Sequence, residues 1–201
     1  MSDSKQAWDS MHALSERILA ANSATLELER WCSERVIGDG RIVALCARDA
    51  KAGLLDDESL EALYPHQALN RTEFRRVQLA TKGIVVVDAL NWYFPEHLTS
   101  EICAMLRDTD IPFGHAIRSL KPKRRTFLVR RCSPAQLVEA KLANDPTAIA
   151  FEHHAIVHRE DGAPLAVVHE RFRTALVEPP AIPAASAAFR SGVAAARVLA
   201  G

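Results

Sequence analysis

The stretch GIVVVDALNWYF, residues 83–94, limits what this chain can fold into more than any other. Its apolar residues do not alternate with polar ones, so both faces of a strand made from it are apolar, which places it at the centre of a sheet. The preceding run EFRRVQLA, 73–80, is separated from it by Thr81 and Lys82, with Gly83 at the junction. That spacing specifies a tight hairpin and therefore an antiparallel pair.

The remaining elements follow from periodicity and capping. Trp8, Met11, Leu14 and Ile18 recur at three- and four-residue steps, one face of a helix over 6–20. A second helix starts after Asn22 or Ser23 and ends before Gly38. RIVALCAR, 41–48, reads as a strand, and DDESLEALY, 56–64, as a short helix that Pro65 stops. Thr99 caps a helix carrying Leu98, Ile102, Met105 and Leu106 on one stripe. RRTFLVRR, 124–131, reads as a strand, and Ser133-Pro134 open a helix. Finally, AIAFEHHAIVHR and PLAVVHERFRTALV flank the turn EDGA, a second hairpin. About six strands with adjacent hairpins predict an α+β domain: an antiparallel sheet with helices mostly on one face. It spans residues 1–177. From 178 to 201 the chain becomes a proline- and alanine-rich tail, expected to be dispensable for the fold.

Composition excludes several classes. Basic and acidic residues number 25 each, so the chain offers no general surface for nucleic acid or membrane. No apolar run is long enough to span a bilayer, and the N-terminus lacks a signal-peptide core, so a cytoplasmic location is expected. The four cysteines stand singly in apolar or amphipathic segments and read as reduced, buried thiols. GxSxG, P-loop, GxGxxG and HExxH motifs are absent. Strand alternation puts His154 and His158 on one face and His153 on the other, and no Cys or carboxylate completes a ligand set at a recognisable spacing. No metal and no cofactor are expected.

Two charged residues fall on apolar faces. Arg75 shares a face with Val77 and Leu79, and Glu170 shares one with Ala166, Val168 and Phe172. Buried charges need a partner or a ligand. Spacing allows a closed Arg75–Glu170 salt bridge, or a pocket in which Arg75 grips a carboxylate and Glu170 acts as acid or base.

The order of these features resembles chorismate–pyruvate lyase and, more broadly, the chorismate lyase/UTRA superfamily. The features are a strand with an inward arginine (EFRRVQL), a long apolar strand (IVVVDALNWYFP), a helix (LTSEICAMLRDT), a D-I-P-F-G turn and a late strand with glutamate (PLAVVHERF). The resemblance spans roughly residues 23–177. It implies that Arg75 binds the substrate carboxylate and that Glu170 is the acid/base residue, with His169 as the neighbouring register. It also implies that the family's T-P-L-G turn falls on Ile111-Pro112-Phe113-Gly114, so that Phe113 and Gly114 line the pocket. Gly114 is expected to need positive φ. The implied activity is elimination of pyruvate from chorismate, or a close enolpyruvyl relative, to give 4-hydroxybenzoate. The alternative is a non-catalytic module of the UTRA type that binds small aromatic or carboxylic acids. About 22 residues precede the region of resemblance, too few for a helix-turn-helix, which favours the enzyme.

Overall fold

The computed structural model describes residues 2–48, 51, 53–64 and 72–178; the expectation for the tail lies outside them, apart from Glu178. The hairpin at Thr81 forms as its sequence demands. Strand β2, Glu73–Thr81, pairs antiparallel with β3, Ile84–Tyr93, and Thr81 faces Ile84 across the turn. Lys82 and Gly83 both have positive φ, 46° and 82°, the conformation that matches the twist of a two-residue hairpin.

Strands β1 (Val43–Ala47), β4 (Lys123–Arg131), β5 (Ile149–His158) and β6 (Pro164–Arg173) complete a six-stranded sheet of order β1-β2-β3-β6-β5-β4. Every pairing in it is antiparallel. The two-sided apolar strand β3 therefore lies inside the sheet, flanked by β2 and β6.

Most helices cover one face. They are α1 (Ser2–Ala20), α2 (Ala24–Glu34), α4 (Ser100–Asp108), α5 (Phe113–Ala116) and α6 (Pro134–Ala143). Side-chain oxygens of Ser23, Thr99 and Ser133 cap the starts of α2, α4 and α6, and Ser133 forms a full capping box with Gln136. Met11, Leu14 and Ile18 of α1 and Leu28 and Trp31 of α2 pack on Val77, Ala89 and Phe172 of the sheet. Ile102, Leu106 and Phe113 extend this layer over Tyr93, Ala155 and Val168. The short helix α3, Asp57–Ala62, covers the other face, where Leu63 meets Trp92, Phe94, Ile156 and Val167. The aromatic end of β3 thus serves both cores: Tyr93 points to one layer, Trp92 to the other.

Two local features differ from the sequence reading. The turn at Pro112 opens into the one-turn helix α5 instead of remaining a turn. The strand β4 carries a bulge between Thr126 and Leu128, which interrupts its period-2 pattern. Among the described residues no helix is long and apolar enough to cross a membrane.

His153, on β5, is fully buried and contacts the Ser15 hydroxyl of α1 at 2.9 Å. Burial, and then the positive charges of Arg124, Arg131 and His154, push its pKa from 6.5 down to about 3. Protons therefore bind the unfolded chain near pH 6.5 but the folded ring only near 3, so His153 leaves stability complete above 6.5 and erodes it below. We expect thermal melts from pH 7 to pH 5 to show a loss on the order of 2 kcal/mol from this group. His153→Gln should flatten that decline; an unchanged slope would rule the ring out as its source.

Candidate functional site

A partly open pocket lies between the sheet and the start of α2. Five strands supply its floor: Val77 and Leu79 from β2, Ala89 and Asn91 from β3, with Arg124, Val157, Val168 and Glu170 from β4, β5 and β6. Its roof is Ser23 and Thr25 at the N-terminal end of α2, and Phe113, Gly114 and Ile117 in and after α5. Its inner space measures about 40 Å³, room for a few waters.

The charged pair at its base is Arg124 with Glu170. Arg124 Nη2 lies 2.8 Å from Glu170 Oε2, with the side chains only 2% and 10% exposed. The two groups touch without hydrogen-bond alignment. Among the described residues Arg124 Nε and Nη2, Glu170 Oε2 and Thr126 Oγ1 on the same strand as Arg124 are all buried with no hydrogen-bond partner. Buried donors and acceptors left unmade cost about 1–3 kcal/mol each, so native proteins keep few of them. Three of these atoms belong to Arg124 and Glu170, the charged residues that line the pocket, and leave them with hydrogen-bonding capacity for a ligand.

Phe113 and Gly114 are both at the pocket. Phe113 is buried beside the ring of Tyr93, with ring centroids 6.5 Å apart. Gly114 is a glycine for a different reason from the one its turn suggested. It is not among the positive-φ residues. A Cβ there would meet Thr25 Oγ1 at 2.7 Å and Ser23 Oγ at 2.9 Å. The glycine lets α5 close against the capped end of α2, and close approach rather than backbone strain excludes a side chain.

Arg75 lies outside the pocket, which corrects the expectation that it shares a cavity with Glu170. Its Nη1 donates to the Ile111 carbonyl and its Nη2 to the Thr109 carbonyl, both at 2.8 Å, and Cys46 Sγ is 2.9 Å from Nη2. Two residues before Val77 on β2, its guanidinium turns to the loop leading into Pro112 and away from β6. Arg75 therefore braces the segment that carries Phe113 and Gly114. The closed Arg75–Glu170 bridge is not formed either. His169 is on the opposite face of the sheet, bonded to the Ser59 hydroxyl at 2.8 Å, so Glu170 is the residue of this strand that faces the pocket.

Arg124 was the partner that sequence reasoning missed. It stands in a run with Lys123, Arg125, Arg130 and Arg131, and the bulge after Thr126 breaks the alternation that would separate inward from outward positions. Its signal was present only locally: Arg124 and Thr126 share one face before the bulge.

No protein-family model matches the chain. The protein y4mC of Sinorhizobium fredii is 32% identical over 184 residues, covering 85% of this chain and 76% of that one. Among solved structures, the effector domain of PhnF from Mycobacterium smegmatis is similar with a TM-score of 0.48 and 14% identity, covering 76% of this chain and 90% of that domain. A possible transcriptional regulator, YydK from Bacillus subtilis, has a TM-score of 0.45 at 13% identity; the match covers 70% of this chain and 60% of that one.

Because Arg75 satisfies two backbone carbonyls from a site only 7% exposed, its role is measurable as stability. We expect Arg75→Met to cost on the order of 3 kcal/mol in a denaturant melt. A change under about 0.5 kcal/mol, the size of an ordinary surface substitution, would show that the guanidinium does not brace this segment.

Proposed function

The chain belongs to the same family as y4mC of Sinorhizobium fredii, and from the chemistry of its pocket we propose that it is a binding module for a small organic acid. The observation that carries this reading is the set of unmade hydrogen bonds around Arg124 and Glu170. A ligand carboxylate would meet Arg124 through Nε, and through Nη2 in place of its contact with Glu170, a charge-assisted interaction. The N-terminal end of the eleven-residue α2 adds a favourable positive potential from the roof. Glu170 Oε2 would accept from a hydroxyl on the ligand. Val168, Leu79 and Phe113 offer apolar walls to a ring. A hydroxylated aromatic monocarboxylate meets each of these demands. The cavity is smaller than such a molecule, so entry requires the α2–α5 roof to lift.

The lyase reading keeps one support, a glutamate inside the pocket. It is weakened by the position of Arg75, whose guanidinium is occupied by backbone carbonyls. The arginine beside Glu170 is in contact with the glutamate itself, so a substrate carboxylate would compete with the proposed acid/base residue for it. Binding needs no such division of labour.

Calorimetry with 4-hydroxybenzoate, benzoate and chorismate tests the proposal. We expect 4-hydroxybenzoate to bind, benzoate to bind more weakly for want of the hydroxyl, and Arg124→Met to lose at least tenfold in affinity. Chorismate should remain unconverted on prolonged incubation. Release of 4-hydroxybenzoate by the wild type but not by Glu170→Gln would replace this reading with the lyase. Binding unaffected by Arg124→Met would remove the pocket from the function.

A further inference from the structure

The other face of the sheet carries a second cluster that takes no part in the pocket. The pairing of β5 with β6 sets His154 opposite His169. Their imidazoles stack with centroids 3.6 Å apart and planes within 3°. Both residues are largely buried, walled by Trp92 against His169 and Phe127 against His154. Asp56, the N-cap of α3, lies over them. One nitrogen of each ring and one carboxylate oxygen of Asp56 all lie within 4.8 Å of one another.

The hydrogen bonds around the cluster prepare it as a set of ligands. Glu152, two residues before His154 on β5, contacts His154 Nε2 at 2.5 Å. A carboxylate there only accepts, so Nε2 is the protonated nitrogen, and in the neutral ring the lone pair is on Nδ1. Among the described residues Nδ1 of His154 is buried without a hydrogen-bond partner. A carboxylate that fixes the tautomer of an imidazole from behind is the usual outer support of a metal-bound histidine. Asp56 accepts from the Ser59 backbone N–H through Oδ1 at 2.8 Å, which fixes its carboxylate at the start of α3. Ser59 Oγ in turn holds His169 Nε2 at 2.8 Å.

We propose that Asp56, His154 and His169 bind a divalent transition ion of the zinc class, with Glu152 orienting His154 and a fourth position left to water. Two imidazoles and one carboxylate suit zinc, cobalt or nickel; magnesium and calcium prefer oxygen throughout. Capture requires the donors to close to about 3.3 Å apart, the edge of a tetrahedron with bonds of about 2.0 Å. The parallel rings must therefore tilt into a V. Asp56, the exposed member on a short helix, is the ligand with most freedom to follow. The ion would tie α3 to the middle of the sheet.

The test is titration of Zn²⁺ and Co²⁺ into chelator-treated, thiol-reduced full chain. We expect one ion per chain, a rise in melting temperature, and a tetrahedral Co²⁺ spectrum without the thiolate charge-transfer band. His169→Gln and His154→Gln should each weaken binding at least tenfold. Asp56→Asn retains the helix cap and should weaken binding too, which keeps the test valid if a histidine variant does not fold. Arg124→Met should leave ion binding unchanged, separating this site from the pocket. No bound cobalt at millimolar concentration, a thiolate band, or full affinity in the Asp56 and His169 variants would overturn the proposal.

Discussion

Burial of β3 on both faces is the constraint on which the rest depends. A strand apolar on one side needs one layer; Val87 and Ala89 on one face and Leu90 and Trp92 on the other need two. The helices α1, α2, α4 and α5 meet the first demand, and α3 with its flanking loop meets the second. Burying each large side chain there contributes about 1.5–3 kcal/mol, so exposing either face would remove a large share of the fold's driving force. The same two-sided cover creates two dry environments. Polar groups placed in them must find partners, and the places where they do not are the candidate sites.

Both candidate sites hang on the same strands. On β6, Glu170 faces the helical layer and His169 faces α3; on β5, His153 and His154 divide in the same way. Alternation of side chains across one strand thus sets an acidic pocket group and an imidazole cluster back to back, a few ångströms of backbone apart.

The contrast between Arg75 and Arg124 shows how burial and role part company. Both guanidiniums are buried. Arg75 directs Nη1 and Nη2 to the carbonyls of Ile111 and Thr109 and so holds the entry to α5 in place, while its Nε, among the described residues, has no hydrogen-bond partner. Arg124 touches Glu170 but leaves Nε and Nη2 without hydrogen bonds. The difference lies in the terminal nitrogens: both of Arg75's are taken by backbone carbonyls, whereas Nη2 of Arg124 meets the carboxylate of Glu170 at the pocket.

Much of the architecture was legible in the chain. The hairpins at Lys82-Gly83 and around Gly162, the caps at Ser23, Thr99 and Ser133, and the helical stripe of Met11, Leu14 and Ile18 are local features, decided by residues within a few positions of one another. So was the inward direction of Arg75 and Glu170, because alternation along one strand needs no partner. What inward residues meet was decided in tertiary structure: β2 and β4 lie equally far from β6, two strands on either side, but the guanidinium of Arg75 is taken by the Thr109 and Ile111 carbonyls, and it is Arg124 that reaches Glu170. The reason for Gly114 is likewise tertiary, since Ser23 and Thr25 come from a helix some 90 residues earlier in the chain. The ligand set of Asp56, His154 and His169 has no sequence spacing at all. It exists because a helix cap from one end of the chain lands over two neighbouring strands from the other. Short-range sterics and hydrogen bonding wrote the elements into the sequence, and only long-range packing brought their side chains together.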